Sequence, residues 1–138
     1  MDWKKLIITF IVVFVVLEVL NFVIHSVILG AAYESISELW RPDMDSKMWV
    51  MWIADLIFSF FFVYVFTKGY EARGIMEGIR FGLIIGCFYL IPHIYSQYAT
   101  YNLPYSLVLQ WLIYGFIQII IVGIVAALLY KPQAEVKS

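Results

Sequence analysis

Residues 6–29, 48–67, 75–98 and 105–130 form four apolar stretches, each as long as a hydrocarbon layer demands. A layer of ~30 Å takes about 20 helical residues at ~1.5 Å each. In lipid every backbone polar group must be satisfied from within the chain, which leaves helices or closed barrels. A barrel strand would alternate apolar and polar residues, whereas residues 7–17 run on as IITFIVVFVVL. The expected fold is therefore all-α: a four-helix transmembrane bundle, with residues 1–138 forming one transmembrane domain. Composition excludes the aqueous alternative, because 64% of residues are hydrophobic and only 14% charged; soluble domains are nearer about half and a quarter. Lys4 and Lys5 before the first stretch, and Gly30-Ala31-Ala32 after it, imitate a secretory signal. The run is too long for such a signal and contains Glu18, so it is expected to persist as a span.

Lys4, Lys5, Lys68, Arg73, Arg80, Lys131 and Lys137 flank one side of the predicted spans, against Arg41 and Lys47 on the other. Basic loops stay in the cytoplasm, so both termini are expected there. In the first outer loop Tyr33, Ile36 and Trp40 fall on one helical face, predicting a short interfacial helix that ends at Pro42. Trp40, Trp49, Trp52, Tyr95, Tyr98, Tyr101, Tyr105 and Trp111 gather at the same boundary as an aromatic belt. The single cysteine, Cys87, lies in an apolar run and forms no intrachain disulfide.

Ionisable groups inside hydrocarbon are costly and mark function or pairing. Glu18, Asn21 and His25 are spaced to form one stripe on the first span, and Trp52, Asp55 and Ser59 do the same on the second. By depth Glu18, Asp55 and Gln118 fall near the midplane, with His25 and His93 at a shallower common level. These residues predict a polar core of Glu18, Asn21, Asp55 and Gln118 beneath a histidine tier. On the third span Gly78, Gly82 and Gly86 recur every four residues, a ridge that lets helix backbones approach closely. Its partner is either another span, through Gly115 and Gly123, or a second molecule. Glu77 and Arg80 are expected to snorkel at the cytoplasmic end of this span. Pro92 is expected to kink the span, and His93 to point along the ridge into protein.

Three readings of these residues stay open. The first is a non-enzymatic membrane protein whose carboxylates and histidines handle protons or a cation. The second is an electron carrier holding a haem b or pigment through His25 and His93, which are also candidate ligands for a divalent metal. The third is a structural subunit, its buried amides serving as interhelical hydrogen bonds; no cofactor is required by the first or third. No phosphate loop, HExxH, Cys-x-x-Cys or nucleophile elbow occurs, so no enzymatic chemistry is expected. Expected partners are membrane lipid and either copies of the chain or a larger membrane complex; no basic arm suggests nucleic acid.

The segments Leu39-Trp40-Arg41-Pro42, Lys68-Gly69-Tyr70-Glu71, Glu77-Gly78-Ile79-Arg80-Phe81-Gly82 and Leu129-Tyr130-Lys131-Pro132 resemble those of a group of small, uncharacterised bacterial four-span integral membrane proteins. The resemblance covers nearly the whole chain. It implies a multi-pass protein of the bacterial cytoplasmic (inner) membrane and carries over no catalytic residue.

Overall fold

The structure, a computed structural model, describes residues 1–132; Lys137, counted above toward orientation, lies outside them. Four helical spans, Trp3–Ile28, Met44–Lys68, Ile75–Thr100 and Tyr105–Leu129, are each long and apolar enough to cross a membrane. No strand occurs among the described residues. The protein is a small helical multi-pass membrane protein. Its surface fits lipid as the solvent, since Ile11, Val15, Phe22, Phe61, Ile84 and Phe88 all point outward as a broad apolar coat unsuited to water.

Span one begins where Asp2 caps it, its carboxylate accepting the Lys5 N–H at 3.0 Å. The spans alternate in direction. At the end carrying the N-terminus, the Tyr70 and Tyr130 rings meet edge-on at 5.3 Å and the Asp2 N–H lies 3.4 Å from the Tyr130 hydroxyl. At the far end His25, Tyr33 and Trp111 are joined by hydrogen bonds. The interior has two apolar cores. Leu6, Val13, Leu17, Phe62, Val63, Phe66, Val122 and Ala126 fill the half nearer the N-terminus. Ile24, Ile94, Leu103, Leu107 and Val108 fill the other.

The glycine ridge finds its partner within the chain. A Cβ on Gly82 would stand 2.8 Å from the Ile120 Cα and 2.9 Å from the Ile119 carbonyl, and Gly78 meets Gly123 backbone to backbone. Gly86 is occupied by the Phe116 ring. Of the two expected partners the ridge takes the one within the chain, span four, because in lipid close backbone packing replaces the missing hydrophobic drive.

Three local expectations are also corrected. The first outer loop is not one interfacial helix. It breaks into the single turn α2 (Gly30–Glu34) and a 3₁₀ turn at Ser37–Leu39. Tyr33, Ile36 and Trp40 nonetheless pack together on the second core, the Trp40 indole N–H donating to the Tyr33 carbonyl at 3.2 Å. Pro92 does interrupt its helix, but the register widens before it, in a π turn at Gly86–Leu90. Such a turn relieves both the proline's missing N–H and the clash of its ring with the preceding turn. A second π turn, Phe22–Ile28, was not foreseen; in it the Leu29 N–H reaches back five residues to the Ile24 carbonyl at 2.9 Å.

Glu77 does not snorkel. It is 4% exposed, and its carboxylate accepts the N–H groups of Glu71 at 2.7 Å and Arg73 at 2.8 Å. These two N–H groups bracket Ala72, whose φ of 61° is left-handed and strained for alanine. The carboxylate holds the tight loop between spans two and three in a shape alanine disfavours. Outside it, Glu71 accepts from Arg80 at 2.9 Å and pairs with Arg73 at 3.0 Å. Arg80, and less so Arg73, hold the exposed Glu71 carboxyl below its ordinary range. The paired form is the ionised one, so this contact is complete above that ordinary range and fades as pH falls through the lowered value.

Gly82→Leu should lower stability by about 1–3 kcal/mol or more, from overpacking against Ile119 and Ile120. Reversible unfolding in bicelles measures it, and an unchanged stability would mean the two backbones are not in contact. Ala72→Gly should stabilise by about 1 kcal/mol by removing the left-handed strain. Glu77→Ala should cost about 2–4 kcal/mol, since two backbone donors lose a charged acceptor. The same unfolding assay should give these two variants opposite signs.

Candidate functional site

Between the two apolar cores lies a polar layer built by three spans. Glu18 and Asn21, three apart on span one, share a face of that helix, and Asn21 turns its amide toward spans two and four. The buried Gln118 of span four donates its amide N–H to the Asn21 Oδ1 at 2.7 Å and approaches the Leu17 carbonyl at 3.3 Å. Asn21 in turn donates from Nδ2 to the Asp55 Oδ2 of span two at 3.1 Å. Its single amide thus uses both ends, linking spans four and two through span one. Glu18, three residues before Asn21 on the same span, has its Oε1 buried with no hydrogen-bond partner.

Asp55, Asn21 and Gln118 border a cavity of about 140 Å³, lined also by Leu17, Phe58, Tyr89, Leu90 and Ile119. That is room for a few water molecules at ~30 Å³ each, with polar partners on its wall. Toward the N-terminal end the layer is stopped by an aromatic knot. Phe81 meets Phe62 at 4.8 Å and Phe66 at 5.3 Å, ring centroid to centroid, in a core with Val63 and Val122. Ser59, one turn from Asp55 on the same face, is fully buried there with an unpartnered hydroxyl; we have no physical account of it.

Spans two and three leave a gap between them that runs from their middle toward the end carrying the termini. The gap is an apolar groove of about 330 Å³, open to the surrounding lipid and lined by Ile57, Phe58, Phe61, Val65, Phe88 and Tyr89 among others. Phe58 and Tyr89, ring centroids 5.4 Å apart, border both the groove and the polar cavity.

The two histidines have separate partners. His25 sits in the first π turn, its Nδ1 2.6 Å from the Tyr33 hydroxyl. That hydroxyl also accepts the Trp111 indole N–H at 2.7 Å. Burial pushes the Tyr33 phenol up, so it keeps its proton. Using every hydrogen, Tyr33 accepts from Trp111 and donates to His25, which places the imidazole proton on Nε2. His93 is corrected outright: it is exposed rather than turned into the bundle. It stacks on Tyr89 at 5.4 Å with the rings nearly parallel, and its Nε2 lies 2.9 Å from the Gln97 amide. Among the described residues no three His, Cys, Asp or Glu side chains converge on a point. A bis-histidine haem needs both imidazoles to face each other across one slot; here the His25 ring stacks on Tyr33 and the His93 ring on Tyr89.

The residues that sequence reasoning undervalued are aromatic. Tyr33 organises the outer cap, and Tyr89 joins the polar cavity, the groove and His93. Tyr89 was visible as the residue four before His93; its contact with Phe58 of another span was not. Comparison with family models, curated proteins and solved structures returned no match.

Interhelical hydrogen bonds in lipid are worth about 0.6 kcal/mol each. Gln118→Leu should therefore cost only about 1 kcal/mol. Asn21→Leu strands the Gln118 amide and Asp55 together and should cost about 1–3 kcal/mol. Unfolding in bicelles measures both, and an Asn21 variant as stable as the parent would mean the three-span chain is not formed.

Proposed function

We propose that this is a non-enzymatic protein of a bacterial cytoplasmic membrane, with both termini inside, whose Glu18–Asp55 pair takes up and releases a proton or a cation. The observation that carries this reading is a buried, unpartnered Glu18 oxygen three residues from Asn21, whose amide holds Asp55 beside a cavity large enough for water. Magnitudes favour it over a purely structural layer. A carboxyl at the centre of a span costs roughly 2.5–3.5 kcal/mol, whereas the hydrogen bonds of the layer return well under that. Asparagine or glutamine would make the same links without the charge. The lysine and arginine bias of the loops supports the orientation, and the resemblance to small bacterial four-span proteins supports the location.

Infrared spectroscopy of the reconstituted protein tests the pair. Near neutral pH the parent should show a protonated-carboxyl C=O band that is lost in both Asp55→Asn and Glu18→Gln. Each substitution should also leave stability unchanged or raised, because a buried charge is removed without loss of volume. Absence of the band in the parent, or its survival in both variants, would overturn the reading.

A further inference from the structure

The far end of the bundle is closed by a chain of hydrogen bonds in which donor and acceptor alternate without a gap. Trp111 on span four donates its indole N–H to the Tyr33 hydroxyl at 2.7 Å, and that hydroxyl stands 2.6 Å from His25 Nδ1 on span one. An indole only donates, so the phenolic hydrogen goes to Nδ1, which therefore carries no proton of its own. Tyr33 is also the fulcrum of the outer loop. Its ring is inclined by 21° to that of His25 and lies edge-on to Trp40, whose indole N–H donates to the Tyr33 carbonyl at 3.2 Å. The loop has little frame besides: one helical turn, Gly30–Glu34, and a 3₁₀ turn, Ser37–Leu39. It covers the second apolar core, and on span one Asn21 of the polar layer is only about one turn below His25.

We infer that His25 and Tyr33 form a proton-operated clasp, which holds loop 30–40 on the bundle while the imidazole is neutral and releases it when the imidazole takes a proton. The clasp does not depend on the role proposed for Glu18 and Asp55. His25 is exposed at its flank, so a proton can reach it. That proton goes to Nδ1, the ring nitrogen without a hydrogen, and turns it from acceptor to donor. Tyr33 then faces N–H donors from both His25 and Trp111, with its own hydrogen left without an acceptor. A half-buried donor stripped of its partner is costly. No carboxylate pairs with His25 among the described residues to offset that cost. Span four has no charged residue, and its titratable groups are Tyr105 and Tyr114. In the loop Asp43 pairs with Arg41 at 2.6 Å, while Glu34, Glu38, Asp45 and Lys47 make no ion pair among the described residues. The clasp uses the neutral ring, so it is complete at the alkaline end of the imidazole range and fails as pH falls through it.

Nuclear magnetic resonance of the full chain in mild detergent tests the clasp, with isotopic nitrogen in the indoles and imidazoles. Trp111→Phe and His93→Gln identify the signals. As pH falls from about 8 to about 5, the Trp111 indole N–H should shift with the same midpoint as the His25 ring nitrogens. Over that range amide exchange in residues 30–40, corrected for its intrinsic pH dependence, should quicken by about fivefold or more. His25→Gln supplies an acceptor that takes no proton, and should hold both the indole signal and the exchange at their alkaline values. Tyr33→Phe should leave the loop exchanging fast at both ends of the range. An indole signal and loop exchange that ignore pH would overturn the inference. So would a loop still protected in Tyr33→Phe, or a pH response that survives in His25→Gln and so belongs to another group. The midpoints are read in the parent alone, so they decide the matter even where His25→Gln fails to fold: two different midpoints also sink the clasp.

Discussion

Backbone contact between spans three and four governs the rest of this molecule. Gly78 against Gly123, and Gly82 against Ile119 and Ile120, bring those helices closer than side chains would allow. A helix held that tightly on one neighbour has little surface left for another. Span one packs on span four and span two on span one, so spans two and three meet only through Phe62, Phe66, Phe81 and the Phe58–Tyr89 pair. The groove is a consequence of the ridge.

The polar layer sits where this geometry needs a fastener. Spans one, two and four have no glycine ridge in common, and between them runs the chain Gln118–Asn21–Asp55. Asn21 is the hinge-pin of that chain, with an acceptor turned to one span and a donor to the other. A structural layer could stop there. Glu18, with a buried oxygen that no donor reaches, adds a group that fastening does not require, and that excess is what moves the reading toward chemistry.

Span number, boundaries to within a few residues and the alternating topology were legible because length and hydropathy in lipid leave few alternatives. The polar layer was legible as a shared depth, since helical rise converts residue number to height. Azimuth was much less so. His93 was expected to face the ridge it shares a helix with, but a π turn intervenes at Gly86–Leu90 and a register counted at 3.6 residues per turn no longer applies. The same failure hid the wide turn that carries His25. Glu77 was misjudged for another reason. Its partners are backbone N–H groups of a loop bent through a left-handed alanine, and nothing in a side-chain pattern announces them. The glycine ridge was legible as a ridge, and its partner only as one of two choices.

The knot formed by Phe62, Phe66 and Phe81 has a bearing on traffic. It closes the bundle on the side of the termini, while Phe58 and Tyr89 line both the polar cavity beside Asp55 and the groove. Net passage would require a second arrangement in which the three rings part, and the small contact between spans two and three makes that seam, rather than the glycine-locked one, the place where the bundle would open.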